Sequence, residues 1–184
     1  MKKVILSVLG FDRPGIIAAI TRILYRADCN IESVSQTILQ SQFSGTFIVS
    51  VPRNLSIDHL SRNLDQGMSK MELRVLVVPV KDQKACFALI PAEPFVITTK
   101  GPDRKGLVAG ITEIIAKHGI NVTNLQAVFK GGEDPNQNIM IYEVDIPKSV
   151  DYHAFHIDLR KRASALDLEI SVQHRNIFEA INRI

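Results

Sequence analysis

The chain has 184 residues, of which 46% are hydrophobic, so it can build the core of one domain or of two small ones and is not a disordered chain. Its formal net charge is only +3, and a solvated helix face explains the one tight basic cluster, residues 160–162, so a nucleic-acid partner is disfavoured. Cys29 and Cys86 lie far apart without CxxC spacing, which argues against a metal site and against a disulfide framework.

The first segment, MKKVILSVLG, is expected to be a β-strand and not a secretory signal, because its apolar run is short and no small-residue cleavage site follows. No apolar stretch approaches the roughly 20 residues that a membrane-spanning helix needs. We therefore expect a soluble, cytoplasmic protein that does not contact a membrane.

Strand and helix periodicities alternate along the first 80 residues. An apolar strand at Val4–Leu9 is followed by residues at helical spacing. This helical stripe consists of Ile17, Ile20 and Leu24, widened by Ile16, Ile23 and Ala27. Further along the chain, the pattern predicts strands at residues 30–39 and 46–51, a helix marked by apolar residues from 57 to 71, and a strand at 73–78.

The same pattern then returns. With an offset of 91, nine of the 25 residues from Gly10 to Val34 are identical to their counterparts. Past a polar insertion in the second copy, GGEDPNQN, the offset becomes 95 and aligns Pro52 with Pro147. We predict a first domain at residues 1–80, a linker at 81–94 that packs because it is apolar, a second domain at 95–175, and an amphipathic tail at 176–184 that docks.

The element order in each copy is βαββαβ. Right-handed crossovers then give an α+β protein with two ferredoxin-like domains in tandem, each a four-stranded antiparallel sheet with two helices on one face. Because apolar residues point to both sides of the first strand, the other sheet face and the sheet edges need covering, which predicts a homodimer.

The loop GFDRPG at Gly10–Gly15 has a counterpart, GPDRKG, at Gly101–Gly106. It lacks the glycine and lysine pattern of a phosphate loop, and its aspartate would repel a phosphate. One interpretation is structural: Asp12 or Asp103 caps the following helix, and the asparagine after that helix tolerates a left-handed turn.

A second interpretation of the same residues is an amino-acid site. The helix N-terminus supplies NH groups for a ligand carboxylate, the aspartate receives the ammonium, the glycine lets the ligand reach the backbone, and the asparagine completes the polar contacts. The residues predicted to bind ligand are Asp12, Gly15, Asn30, Asp103, Gly106 and Asn121.

The stretches DRPGIIAAITRILYRADCNIESV and DRKGLVAGITEIIAKHGINVTNL resemble the opening of ACT domains, which are regulatory βαββαβ modules that bind amino acids at interfaces between paired modules. The resemblance covers almost the whole chain and places ligand contacts at the same six residues. A free-standing pair of such domains resembles the glycine cleavage system transcriptional repressor family. This resemblance implies a cytoplasmic, non-enzymatic regulator without a cofactor, which senses glycine or a serine-like amino acid and acts on a DNA-binding partner protein. Lys105 in place of Pro14, together with the insertion, implies that the two sites differ.

Two other classes of function are disfavoured. RNA-recognition domains share the element order but stack bases on aromatic residues of their first and third strands. Here Val4–Leu9 has no aromatic residue, GTFIVSV offers only Phe47, and NIMIYEVDI offers only Tyr142 beside two acids. His153 and His156 are three residues apart on a predicted helix, but no third metal ligand stands at a telling distance and no catalytic constellation is found. A module that pairs proteins without any ligand remains the alternative.

Overall fold

The computed structural model describes residues 1–80, 91–129 and 138–182. The chain forms two compact units, Met1–Lys84 and Ala85–Ile184. Residues 81–90 of the predicted linker lie outside the described residues. The prediction that this segment packs is therefore not tested. The strand that follows it begins at Ala92, so residues 92–94, which the sequence assigned to the linker, belong to that strand.

Each unit has the βαββαβ order that the sequence predicts. The elements of the first unit are β1 (Lys2–Phe11), α1 (Ile16–Arg26), β2 (Asn30–Leu39), β3 (Gln42–Val51), α2 (Ile57–Ser69) and β4 (Arg74–Pro79). Those of the second unit are β5 (Ala92–Gly101), α3 (Leu107–Lys117), β6 (Asn121–Phe129), β7 (Asn138–Pro147), α4 (Tyr152–Ala165), β8 (Glu169–His174) and α5 (Arg175–Asn182).

The strands form two four-stranded sheets with the spatial orders β2-β3-β1-β4 and β6-β7-β5-β8, and every pairing is antiparallel. The predicted fold, two ferredoxin-like units in tandem, is confirmed. In both sheets the second strand of the unit lies at one edge and the fourth at the other, so β2 and β6 each carry backbone groups without a partner strand in their own sheet.

The core of the first unit lies between its sheet and its two helices. Alternate residues of β1 point to the helices and are buried, and each helix adds one apolar row at spacings of four residues. The row on α1 is Ile16, Ile20 and Leu24. Ile17, which the spacing placed in this stripe, is 36% exposed, because the helix turns Ile16 to the sheet in its place.

The second unit has an equivalent core and an additional cover on the outer face of its sheet. Helix α5 contacts β5 and β8, so the amphipathic tail predicted to dock packs on the sheet of its own unit. Val96, whose register neighbours on the outer face are Glu143 and Gln173, is only 2% exposed. The Arg175 guanidinium at the start of α5 pairs with the Glu143 carboxylate at 3.1 Å. In the first unit the outer-face residues Leu76 and Val78 are exposed.

Candidate functional site

The loop between β1 and α1 ends in a glycine that turns the chain into the helix. Gly15 has φ 97° and its counterpart Gly106 has φ 90°, and both occupy the N-cap position of their helices. No side chain caps either helix. The prediction that Asp12 and Asp103 cap these helices is therefore wrong, because a glycine three residues after each aspartate holds the N-cap position and no side-chain cap hydrogen bond forms.

The N-terminus of α1 consequently keeps its first NH groups free of side-chain acceptors. The first intrahelical bond runs from the Ala19 NH to the Gly15 carbonyl at 2.9 Å. These free donors and the helix dipole give this end of α1 a partial positive charge. They open on a cleft of ≈ 260 Å³ between the loop, the first turn of α1 and strands β2 and β3. The cleft is lined by Asp12, Arg13, Gly15, Ile16, Ile17, Ala18, Gln36 and Phe43.

Within the part of the chain that the structure describes, Asp12 lines this cleft with no partner for its carboxylate. Its backbone NH donates to the Ser41 carbonyl at 2.8 Å, which fixes the loop against the β2–β3 turn. Across residues 1–80, 91–129 and 138–182, no hydrogen bond or ion pair engages the carboxylate. The cleft thus brings a negative side chain and a cluster of backbone donors to the same place.

Other residues of the loop motif have a structural role in both units. The Arg13 guanidinium pairs with Glu72 at 3.9 Å, and its counterpart Arg104 pairs with Asp167 at 3.2 Å. A Cβ added at Gly10 would lie 2.7 Å from the Leu73 side chain, so a larger residue there would force the buried Leu73 to shift. The arginine and the first glycine therefore hold the loop against the turn before the last strand. This pairing between distant segments has no local signal in the sequence.

The second unit has a different residue at the floor of its loop. Gly10 pairs with Phe43 in the first sheet, whereas Gly101 pairs with Asn138 in the second. The Asn138 Nδ2 donates to the Asp103 Oδ1 at 3.2 Å, so this aspartate has a partner that Asp12 lacks. The departure of the second copy from the first lies in this buried residue and was not recognised from the sequence.

The structure does not bring the predicted asparagines to the loop of their own unit. Asn30 pairs with Ser50, which in turn pairs with Lys3 at the start of β1, whereas Asp12 follows the end of β1. At about 3.3 Å per residue, the nine residues from Lys3 to Asp12 make the separation along the sheet roughly 30 Å. Asn121, which pairs with Asp145, lies at the corresponding far end of the second sheet.

The structure gives no support to the other functional classes considered. Phe47 and Tyr142 are buried in the cores beneath the helices, so neither can stack a base. Within the described ranges no group of three or more His, Cys, Asp or Glu could hold a metal ion. Burial raises the pKa of the Cys29 thiol, and Asp28 raises it further, which makes this cysteine a poor nucleophile. Cys86 lies outside the described residues.

Comparison with known proteins identifies the family. Residues 2–78 and 93–173 each match the ACT domain. The chain therefore belongs to the ACT domain family of regulatory proteins, with one domain in each unit. A UPF0237 protein from Methanococcus maripaludis is 37% identical over 93 residues, which cover 50% of this chain and 99% of that relative. A UPF0237 protein from Pyrobaculum aerophilum is 36% identical over 78 residues, covering 42% of this chain and 87% of the relative.

Two solved structures share the fold over the tandem pair. A protein of unknown function from Galdieria sulphuraria has a TM-score of 0.75 at 19% identity, covering 94% of this chain and 98% of its own. A protein described as a candidate glycine cleavage system transcriptional repressor has a TM-score of 0.70 at 18% identity, covering 94% and 96%. Among the described helices, none is both long and apolar enough to cross a membrane.

Proposed function

We propose that this protein is a cytoplasmic, non-enzymatic regulator that binds a small amino acid, such as glycine or serine, in the cleft beside Asp12. The observation that carries the proposal is the meeting of an uncapped helix N-terminus with an unpaired carboxylate in one cleft. Occupancy of the cleft would change how the protein pairs with a partner.

The chemistry of the cleft matches the two charges of an amino acid. The free NH groups at the start of α1 donate hydrogen bonds to the ligand carboxylate, as helix N-termini do for anions. The Asp12 carboxylate receives the ammonium in a charge-assisted hydrogen bond. The cleft volume of ≈ 260 Å³ lies below the roughly 300–1,000 Å³ typical of sites for drug-sized ligands, which favours a small molecule. Gly15 leaves the backbone open to the ligand, since no atom lies within 4 Å of the position its Cβ would take.

The position of Asn30 suggests that a second copy completes the site. Strand β2 is an exposed edge whose helix-side residues include Val34 and Ile38, at 54% and 55% exposure. If two β2 edges pair in antiparallel fashion, the Asn30 end of one strand lies beside the Asp12 loop of the other. Asn30 would then contact the ligand from the neighbouring molecule of a homodimer, and Asn121 would serve the second copy in the same way.

The downstream partner we propose is a DNA-binding regulator protein. The candidate glycine cleavage system transcriptional repressor shares the tandem fold, and our proposal extends a role in regulating amino-acid metabolism from that protein to this one. Phe47 and Tyr142, the strand aromatics at the positions where RNA-recognition domains stack bases, are buried in the cores, which favours a protein partner over direct binding of nucleic acid.

The test is calorimetric titration of the protein with each of the twenty amino acids. We expect saturable binding of one small amino acid. Loss of one charge-assisted hydrogen bond, about 1.5–3 kcal/mol, should weaken it roughly 10- to 100-fold in Asp12→Ala. Silence across the whole panel would refute the proposal and leave protein pairing without a ligand as the function.

A mixing experiment tests the shared site. Asp12→Ala and Asn30→Ala should each weaken binding alone, and a mixture of the two proteins should recover tight sites, because each mixed dimer holds one site with both residues intact. If each variant binds weakly and mixing restores nothing, Asn30 does not reach a neighbouring loop.

A further inference from the structure

The two loops differ most at the residue that forms their floor. In the first unit this residue is Phe43, which is 2% exposed and lines the cleft beside Asp12. In the second unit the equivalent register position holds Asn138, which is 8% exposed. A hydrophobic ring beside the aspartate is thus replaced by a buried amide, and a buried amide must satisfy both its donor and its acceptor.

Among the described residues, the donor of the Asn138 amide has a hydrogen-bond partner and its acceptor has none. Its Nδ2 donates to the Asp103 Oδ1 at 3.2 Å, and this orientation is dictated by chemistry, since an ionised carboxylate can only accept. The Asn138 Oδ1 is buried and has no hydrogen-bond partner within the described residues. Because Oδ1 and Nδ2 are attached to the same carbon, the unpaired acceptor lies beside the Asp103 carboxylate.

Among residues 1–80, 91–129 and 138–182, no donor group meets this acceptor. An unpaired buried acceptor is unfavourable, so native proteins rarely keep one without a ligand, a water or a functional reason. The adjacent helix α3 begins, like α1, with a left-handed glycine and no side-chain cap. The second loop thus combines free backbone donors for an anion with two neighbouring acceptors, on Asp103 and Asn138, for a cation.

We infer that Asn138 is a ligand-contacting, specificity-determining residue of the second copy, whose Oδ1 accepts an N–H of the ligand's ammonium next to Asp103. This inference rests on the proposed function and refines it. The second copy holds the ammonium with two acceptors, whereas the first holds it with Asp12 beside an aromatic floor. The two copies therefore bind the same class of ligand with different affinity and with different tolerance for substituents on the ammonium nitrogen.

The test uses the full chain carrying Asp12→Ala, so that the second copy dominates binding. Titration with the twenty amino acids identifies the probe, and glycine is compared with betaine, its trimethylammonium analogue, which has no N–H to donate. We expect the second copy to bind glycine and to discriminate strongly against betaine. Adding Asn138→Ala should weaken glycine binding about tenfold or more and narrow the glycine-to-betaine ratio.

Asn138→Phe is the matched control, because it installs the residue that the first copy carries at this position. It should also weaken glycine binding, and thermal unfolding establishes that both variants remain folded. If the folded Asn138 variants bind glycine as tightly as their parent and discriminate equally against betaine, the inference is overturned. If Asp103→Ala nevertheless loses glycine binding, the proposed function still holds. The inference is also overturned if the wild-type protein binds glycine and Asp12→Ala abolishes that binding entirely, because the second copy then binds no ligand. Absence of binding to the wild-type protein would instead refute the proposed function.

Discussion

Replacing Gly15 with alanine tests whether the left-handed backbone of the loop contributes to stability. The added methyl meets nothing within 4 Å, so any cost comes from the backbone. A left-handed conformation costs an L-residue about 1–2 kcal/mol, and a φ of 97° lies beyond the centre of that region near +57°. Alanine also lowers the conformational entropy of the unfolded chain, which stabilises the folded state by about 0.4–1 kcal/mol and offsets part of this cost. The net expectation is a loss of about 1 kcal/mol.

The assay is urea and thermal unfolding of the full chain followed by circular dichroism. In a unit of this size a loss of about 1 kcal/mol lowers the unfolding midpoint by about 4–8 °C. Gly106→Ala should cost a similar amount in the second unit, because its φ is 90°. Gly15→Asn is the control and should recover part of the loss, since asparagine tolerates the left-handed region. An alanine variant as stable as the wild type, or an asparagine variant no better than alanine, would refute this reasoning.

Three further outcomes are expected. Gly10→Ala should destabilise the first unit by about 1–3 kcal/mol in thermal unfolding, because the new Cβ would lie 2.7 Å from Leu73; a neutral effect would contradict this. Hydrogen bonds from Lys117 and then His118 lower the pKa of Asp158, so its stabilisation is complete above the unfolded pKa of about 3.9 and lost as pH falls through the lower folded value. The difference in free energy of unfolding between the wild type and Asp158→Asn should therefore become smaller in acid. A difference that does not change with pH would contradict the pairing of Asp158 with Lys117 and His118. Because α5 contacts β5 and β8, deleting it should expose part of their surface and lower the melting temperature of the second unit; an unchanged melting temperature would show that α5 does not stabilise this sheet.

The fold was predictable because its determinants are local and repeated. Apolar residues at strand and helix periods mark each element, and the second copy supplies the same pattern with different residues. The main error, the exposure of Ile17, concerns rotation of a helix about its axis. Spacing leaves Ile16 and Ile17 nearly equivalent, and only contact with the sheet decides between them.

The site was less predictable because its geometry depends on residues far apart in the chain. The aspartates looked like helix caps, yet Gly15 and Gly106 end the loops and leave the helices uncapped. The distance between Asn30 and Asp12 follows from how β2 and β1 each pair with β3. The spacing of residues along the chain does not specify this pairing. Asn138 was hidden because it ends the insertion that shifts the alignment of the two copies, so its equivalence to Phe43 appears only in the strand pairing.

The most direct test of the account measures ligand affinity and stability together in Asp12→Asn, which keeps the shape of the side chain and removes its charge. The account predicts at least tenfold weaker binding of the amino acid to the first copy, with a free energy of unfolding within about 0.5 kcal/mol of the wild type, because Asp12 lines the cleft and does not cap α1. Unchanged affinity accompanied by a stability loss of about 1 kcal/mol, as expected for a lost helix cap, would contradict it.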